Sequence, residues 1–166
     1  MPEKETLEQA REDAREGKSP STQAGEFVKE EMDHIREGKH GARSTKQAIA
    51  IGLSKARRAG VKLPAPKKGK ASEATRTKAE RDLSRGQRPA RKKSAKRSRA
   101  VEGALKREGR AAASHASLSK QARQSARQRG SAARSEAARK AVQTKGPAER
   151  SQAARKAART RQSRAA

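Results

Sequence analysis

The sequence predicts a mostly disordered chain with short α-helices, a small αα-hairpin at about residues 21–60 and no β-sheet. Three observations predict it. Leu, Ile, Val and Phe together number 14 of 166 residues, and a chain so poor in large apolar side chains falls in the disordered class when its net charge is high. Lys and Arg number 44 against 18 Asp and Glu, a net charge of +26. Ordering a backbone costs about 1–2 kcal/mol per residue, more than so few large side chains offset. A globular enzyme with a buried pocket is therefore not expected.

The elements follow in order. Residues 1–20 form an acidic, polar segment. Glu3, Glu5 and Glu8 sit where a helix dipole favours anions, but Leu7 is the sole large apolar residue, so a frayed helix over 3–16 ending at Gly17 is expected. Over 21–37, Val28, Met32 and Ile35 fall at i, i+4 and i+7 with Phe27 alongside, one apolar stripe on a helix. Ser21 is the expected cap and Gly38 the stop. Ser44 and Gln47 have the spacing of a capping box for a third helix. Its stripe is Ala48, Ile49, Gly52, Leu53 and Ala56, and Gly60 with Val61 suits a Schellman ending. Gly52 costs about 1 kcal/mol relative to Ala in mid-helix, which a closely approaching neighbour would explain. The hairpin spans 21–63, with a core of Phe27, Val28, Met32, Ile35, Ile49, Leu53 and Ile51. About seven side chains over so short a stretch are marginal without a staple or partner.

Residues 64–110 carry Pro64, Pro66 and Pro89 among basic runs and read as a disordered linker. Residues 111–166 are rich in Ala, Arg, Ser and Gln, with breaks at Gly130 and Gly146–Pro147. Ser135–Ala141 returns in altered form as Ser151–Ala157. Ala and Arg favour helix, while like-charge i,i+4 pairs such as Arg123/Arg127 and Arg155/Arg159 oppose it. Marginal helices at about 111–129, 131–145 and 148–163 result.

Charge is segregated. Residues 1–37 carry 6 basic and 11 acidic residues, residues 38–60 carry 6 and none, and residues 61–166 carry 32 and 7. A cationic tail of this size attracts a polyanion, since neutralising phosphates releases condensed counterions. With one Phe and no Trp or Tyr, the chain lacks the stacking platforms that bind single strands. Duplex DNA, bound through phosphate without sequence readout, is the expected partner, with RNA second. The expected contacts on the hairpin edge are Lys39, Arg43, Lys46, Lys55, Arg57 and Arg58. In the linker they are Lys67, Lys68, Lys70, Arg91, Lys92, Lys93, Lys96, Arg97 and Arg99. In the tail they are Arg123, Arg127, Arg134, Arg139, Lys140, Arg155, Lys156 and Arg159. The stripe over 27–53 is where a protein partner or second copy would dock.

No catalytic residue, cofactor or metal is expected. His34, His40 and His115 are scattered, with a turn between the first two, and are read as exposed or helix-end residues. The absence of Cys removes disulfides and thiolate ligands. No apolar run approaches the ~20 residues of a membrane span, and Met1–Glu5 has no apolar leader core. A cytoplasmic, nucleoid location is expected.

One stretch is similar to a known family. Glu31-Met32, Gly38-Lys39-His40-Gly41 and the run Arg43-Ser44-Thr45-Lys46-Gln47-Ala48-Ile49-Ala50-Ile51-Gly52-Leu53-Ser54-Lys55-Ala56-Arg57-Arg58-Ala59-Gly60 resemble a small bacterial domain family of unknown function. Its members join a K-H-G turn to a K-Q-A-I-A-I-x-L-S-x-A-R-x-A-G helix. The resemblance covers residues 26–63, departs at Gly52 where alanine is the usual residue, and implies a bacterial or phage source without an activity. The tail resembles bacterial histone-H1-like proteins in composition only. The expected role is a non-enzymatic, histone-like DNA-binding protein. The alternatives are an RNA- or ribosome-associated basic protein and a stress-related interaction module with a solubilising tail.

Overall fold

The computed structural model describes residues 2–88, 94–144 and 146–165. Among them stand seven α-helices and no strand, and the chain is 76 % helical. The expected disorder is thereby overturned, while the expected absence of β-sheet holds. The chain divides into two compact units, Met1–Gln121 and Ala122–Ala166.

The first unit is built around α2 (Pro20–Arg36) and α3 (Thr45–Arg58), the expected hairpin. Helix α2 begins earlier than Ser21: Ser19 caps it, its Oγ accepting from Thr22 N at 3.4 Å. Pro20 then takes the first helical position, where its fixed φ suits the helix and no amide is lost. Ser44 caps α3 as expected, accepting from Gln47 N at 3.2 Å. The Gln47 side chain reaches one residue further back, accepting from Arg43 N at 2.9 Å. At the far end Val61 N donates to Ala56 O and Gly60 N to Arg57 O, both at 3.1 Å. With Gly60 at φ +101°, this is the Schellman ending. Gly52 is where α2 and α3 approach: a Cβ there would lie 2.8 Å from Val28 Cα and 3.0 Å from Phe27 O.

Around this hairpin the fold departs from expectation. Helix α1 (Lys4–Arg15) is docked, not frayed. Ala10 and Leu7 join Phe27, Ala24, Ala56, Val61, Leu53 and Leu63 in one apolar cluster. Glu3 N donates to Glu30 Oε2 at 3.2 Å, and Lys18 Nζ holds the buried Asp13 at 2.7 Å. Helix α4 (Glu73–Gly86) and helix α5 (Ala95–Lys106) occupy the stretch read as linker. Helix α4 buries Ala79 and Asp82 on the side facing α3, where Ser54 Oγ donates to Asp82 Oδ2 at 2.6 Å.

A 3-10 turn at Ala111–Ala113 completes a second cluster with Met32, Ile35, Ala42 and Ala48. Val28, Ile49 and Leu118 flank it. The buried Thr45 Oγ1 donates to Ala112 O at 2.6 Å, and Arg36 Nε to Ala113 O at 3.2 Å. Of the expected core, Phe27, Met32 and Ile35 are buried and Val28, Ile49 and Leu53 pack beside them, whereas Ile51 belongs to neither cluster.

The physical reason for the added order is alanine. Ala10, Ala24, Ala42, Ala48, Ala56, Ala79, Ala112 and Ala113 are all buried. Each buried methyl contributes about 0.8 kcal/mol, and small side chains let helix backbones approach so that more atoms are in contact.

Helix α6 (His115–Thr144) starts on the first unit and continues into the second, broken at Gly130 (φ 75°, ψ 172°). Helix α7 (Pro147–Ala165) follows. Both breaks fall where the glycines predict them. From Arg127 to Gln143 and from Gly146 to Ser163 every described side chain is exposed.

Candidate nucleic-acid interface

The structure separates the cations that read alike in the sequence. Two hairpin residues are taken up inside the first unit. Lys55, 16 % exposed, lies 2.7 Å from Glu31 Oε2 and 3.2 Å from Glu30 Oε1. Arg57 is buried, donating to Leu63 O at 3.1 Å and Pro64 O at 3.2 Å, and burial lowers its basicity against the opposing charge of Asp82. Neither reaches a phosphate without leaving these partners. They brace α3, α2 and the chain that leaves α3, and a nucleic-acid contact by either would compete with these partners.

The other hairpin cations are partly engaged. Lys39 meets Glu3 and Glu37, each at 3.0 Å. Those hydrogen bonds raise the Lys39 pKa, while bonds from His34 and Lys39 hold the Glu3 carboxyl below its ordinary range. Arg58 donates to Ser54 O at 3.2 Å, 3.8 Å from Asp82. Arg43 is 83 % exposed, 3.7 Å from Glu108, and Lys46 is exposed.

Lys67, Lys68 and Lys70 stand exposed on a tight turn, where Lys70 N donates to Lys67 O at 3.0 Å around Gly69 at φ +81°. Lys96, Arg97 and Arg99 are exposed on α5. Arg91, Lys92 and Lys93 lie outside the described residues.

In the second unit Arg123, Arg127, Arg134, Arg139, Lys140, Arg155, Lys156 and Arg159 are all exposed. This unit holds 13 basic and 2 acidic residues, a net charge of +11 over residues 122–166. Its helices present no apolar face, so it offers a charged surface in every direction.

The cleft between α1 and α2 is the opposite kind of surface. Its volume is about 210 Å³ and six carboxylates line it, Glu3, Glu5, Glu26, Glu30, Asp33 and Glu37, against Lys29 and Lys39. Phosphate has no place there.

Beside that cleft the turn brings together residues that sequence spacing had kept apart. Glu31 is fully buried, and His34 and His40 are 13 % and 15 % exposed. One ligand atom from each of the three lies within 4.8 Å of the others, and the imidazole centroids are 5.9 Å apart. His34 stands in the last turn of α2, a helix-end place as expected, but neither ring of this pair is exposed. Helix α2 ends at Arg36, and the reversal at Gly38 (φ +79°) carries His40 back over the last turn of α2. Glu31, an i+3 neighbour of His34, was the signal that the sequence reading passed over.

Among the described residues no helix is long and apolar enough to cross a membrane. No curated protein and no solved structure matches the chain. The part of the chain that forms α2, α3 and the segment after them does have a counterpart: residues 15–68 match the model of DUF6496, a family of unknown function.

Proposed function

We propose that this protein binds double-stranded DNA without sequence preference, as a non-enzymatic, histone-like, nucleoid-associated protein. The single observation that carries the reading is the second unit: helices exposed on all sides over residues 127–143 and 146–163, in a stretch with a net charge of +11 over residues 122–166. A helix that is polar all round lacks a buried stripe to hold it to its own protein. A phosphate backbone relieves the repulsion among its cations and leaves the alanine propensity intact. At about 1.5 Å per residue, α7 with its 19 residues spans about 28 Å, long enough to follow about eight phosphates of one strand at 3.4 Å each.

The first unit adds the exposed turn at Lys67–Lys70 and the α5 cations Lys96, Arg97 and Arg99. None of these groups is held rigidly in the bidentate geometry that reads base edges. One Phe and no other aromatic of the stacking kind disfavours a single-stranded target.

The test is a titration of the full chain with duplex DNA over a range of salt. Engagement of about ten phosphates gives a slope of log K on log salt near −9. Replacing Arg127, Arg134, Arg139, Arg155, Lys156 and Arg159 by Gln reduces the magnitude of that slope by up to about 5, at about 0.9 per lost contact. Failure to bind duplex at ~50 mM salt, or a slope unchanged in the variant, overturns the reading. Stronger binding to a structured RNA competitor moves the function to RNA.

A further inference from the structure

We propose that Glu31, His34 and His40 form a binding site for a divalent transition metal ion, of which zinc is the type, and that the ion staples α2 to the turn before α3. The hydrogen bonds orient both rings. His34 Nε2 lies 2.8 Å from the Glu3 carboxylate, which only accepts, so Nε2 is the donor, and in the neutral ring Nδ1, 3.9 Å from Glu30 Oε1, keeps its lone pair for a metal. His40 Nδ1 lies 3.2 Å from the Gly41 carbonyl, which also only accepts, so Nδ1 is the donor and in the neutral ring Nε2 keeps its lone pair for a metal. Each imidazole is thus oriented through its other nitrogen, by a carboxylate in one case and a backbone carbonyl in the other. Metal-ligating histidines are held in this way.

His40 Nε2 faces Glu31 Oε1 at 3.5 Å. Glu31 is fully buried, and Oε1 accepts no hydrogen bond. With His40 neutral, two acceptors face each other in a buried setting, and a cation between them satisfies both. Ligand atoms bound at about 2.0–2.1 Å on a tetrahedral ion lie about 3.3 Å apart, close to the Glu31–His40 separation. Two imidazoles on such an ion have ring centroids about 5 Å apart, against 5.9 Å here.

Lys55 does not cancel the site. It lies on the other carboxylate oxygen, 2.7 Å from Glu31 Oε2, and is shared with Glu30, so it turns Oε1 toward the histidines. The local charge stays negative, with Glu3, Glu30 and Glu31 against Lys39 and Lys55. Two imidazoles and a carboxylate suit zinc with a fourth position open to water. A chain without Cys has imidazole as its means of zinc selection.

The experiment uses untagged full-length protein and Zn²⁺ alone. Calorimetric titration gives one equivalent bound, and Co²⁺ in its place gives the visible absorption of a tetrahedral site. His34→Gln and His40→Gln each weaken the affinity at least about tenfold, the lower bound for loss of a metal-site residue, whereas the exposed His115→Gln does not. Proton NMR of the unmodified chain guards against misfolded variants: the His34 and His40 ring resonances move with Zn²⁺ and that of His115 stays. Failure of the unmodified chain to take up Zn²⁺ overturns the proposal. Uptake that ignores both histidine variants, or that shifts His115 equally, overturns it too.

Discussion

Lys55→Met removes an ammonium and keeps the length and apolar stem of the side chain. The structure places that ammonium 2.7 Å from Glu31 Oε2 and 3.2 Å from Glu30 Oε1, and those two carboxylates are 0 % and 3 % exposed. Without Lys55 two buried negative charges stand side by side. Breaking a buried pair costs about 3–5 kcal/mol, and the 16 % exposure of Lys55 sets the effect at the lower end, about 3 kcal/mol. At about 4 °C per kcal/mol for a unit of this size, the melting temperature falls by about 12 °C. Thermal and urea unfolding followed by far-UV circular dichroism measure it, with the exposed Lys46→Met as the control expected to stay within about 0.5 kcal/mol. Adding Glu31→Gln to Lys55→Met recovers part of the loss, because one orphaned charge is gone. The salt slope of DNA binding stays at its original value. A loss below about 1 kcal/mol combined with a shallower salt slope refutes the assignment and puts Lys55 on the phosphate-facing surface.

Further substitutions test other joints. A Cβ at Gly86 would lie 2.0 Å from Arg57 O and 3.2 Å from Gly60 N. Gly86→Ala therefore costs at least the 1–3 kcal/mol typical of overpacking, beyond the ~1 kcal/mol of helix propensity it gains; a melting temperature unchanged or raised contradicts the docking of α4 on the end of α3. At Gly130, with φ 75° and open space where a Cβ would stand, alanine is strained in the observed conformation and favours one continuous helix. Gly130→Ala raises the helical dichroism, and an unchanged or weaker signal argues against the break. Ser44→Ala removes the α3 cap and costs about 1 kcal/mol, read from the urea midpoint. Glu73 is exposed, and its hydrogen bond from Arg76 holds its carboxyl below the ordinary range. A depressed folded-state value contributes stability above the unfolded value and loses it as pH falls through the folded one; Glu73→Gln flattens that part of the acid limb of the stability profile, and an unaltered limb rejects the contribution.

The hairpin was legible because its signals are local. Ser44 and Gln47, Gly60 and Val61, and the spacing of Val28, Met32 and Ile35 each act within one or two turns. Gly52 was legible as well, since a helix-interior glycine has a cost that a close neighbour explains, and Val28 Cα is that neighbour. The breaks at Gly130 and Pro147 follow from backbone geometry. What lay outside local reach was the docking of α1, α4 and the Ala111–Ala113 turn. These use single methyls and buried polar groups: Ala10 beside Phe27, Ala112 and Ala113 beside Ile35, Ser54 on Asp82, Thr45 on Ala112. A count of large apolar residues assigns none of these a core role. Alanine in an exposed helix and alanine in a core look alike in sequence.

The same blindness holds for charge, and it bears on function. Lys46 and Lys55 stand nine residues apart on α3, and the net charge counts them equally. One is exposed; the other is locked between two buried carboxylates. Burying Glu30 and Glu31 is tolerable because Lys55 lies beside them, and burying Arg57 because two carbonyls and Asp82 answer it. Net charge therefore overstates what the first unit offers a polyanion, and the acidic residues of α1 and α2 consume part of the remainder, as Lys39 between Glu3 and Glu37 shows. In the second unit the discount is small, because 13 cations meet 2 carboxylates over residues 122–166. On the proposed reading, the affinity for a polyanion therefore follows the composition of residues 122–166 rather than that of the whole chain, and the six-residue Gln variant is the decisive test.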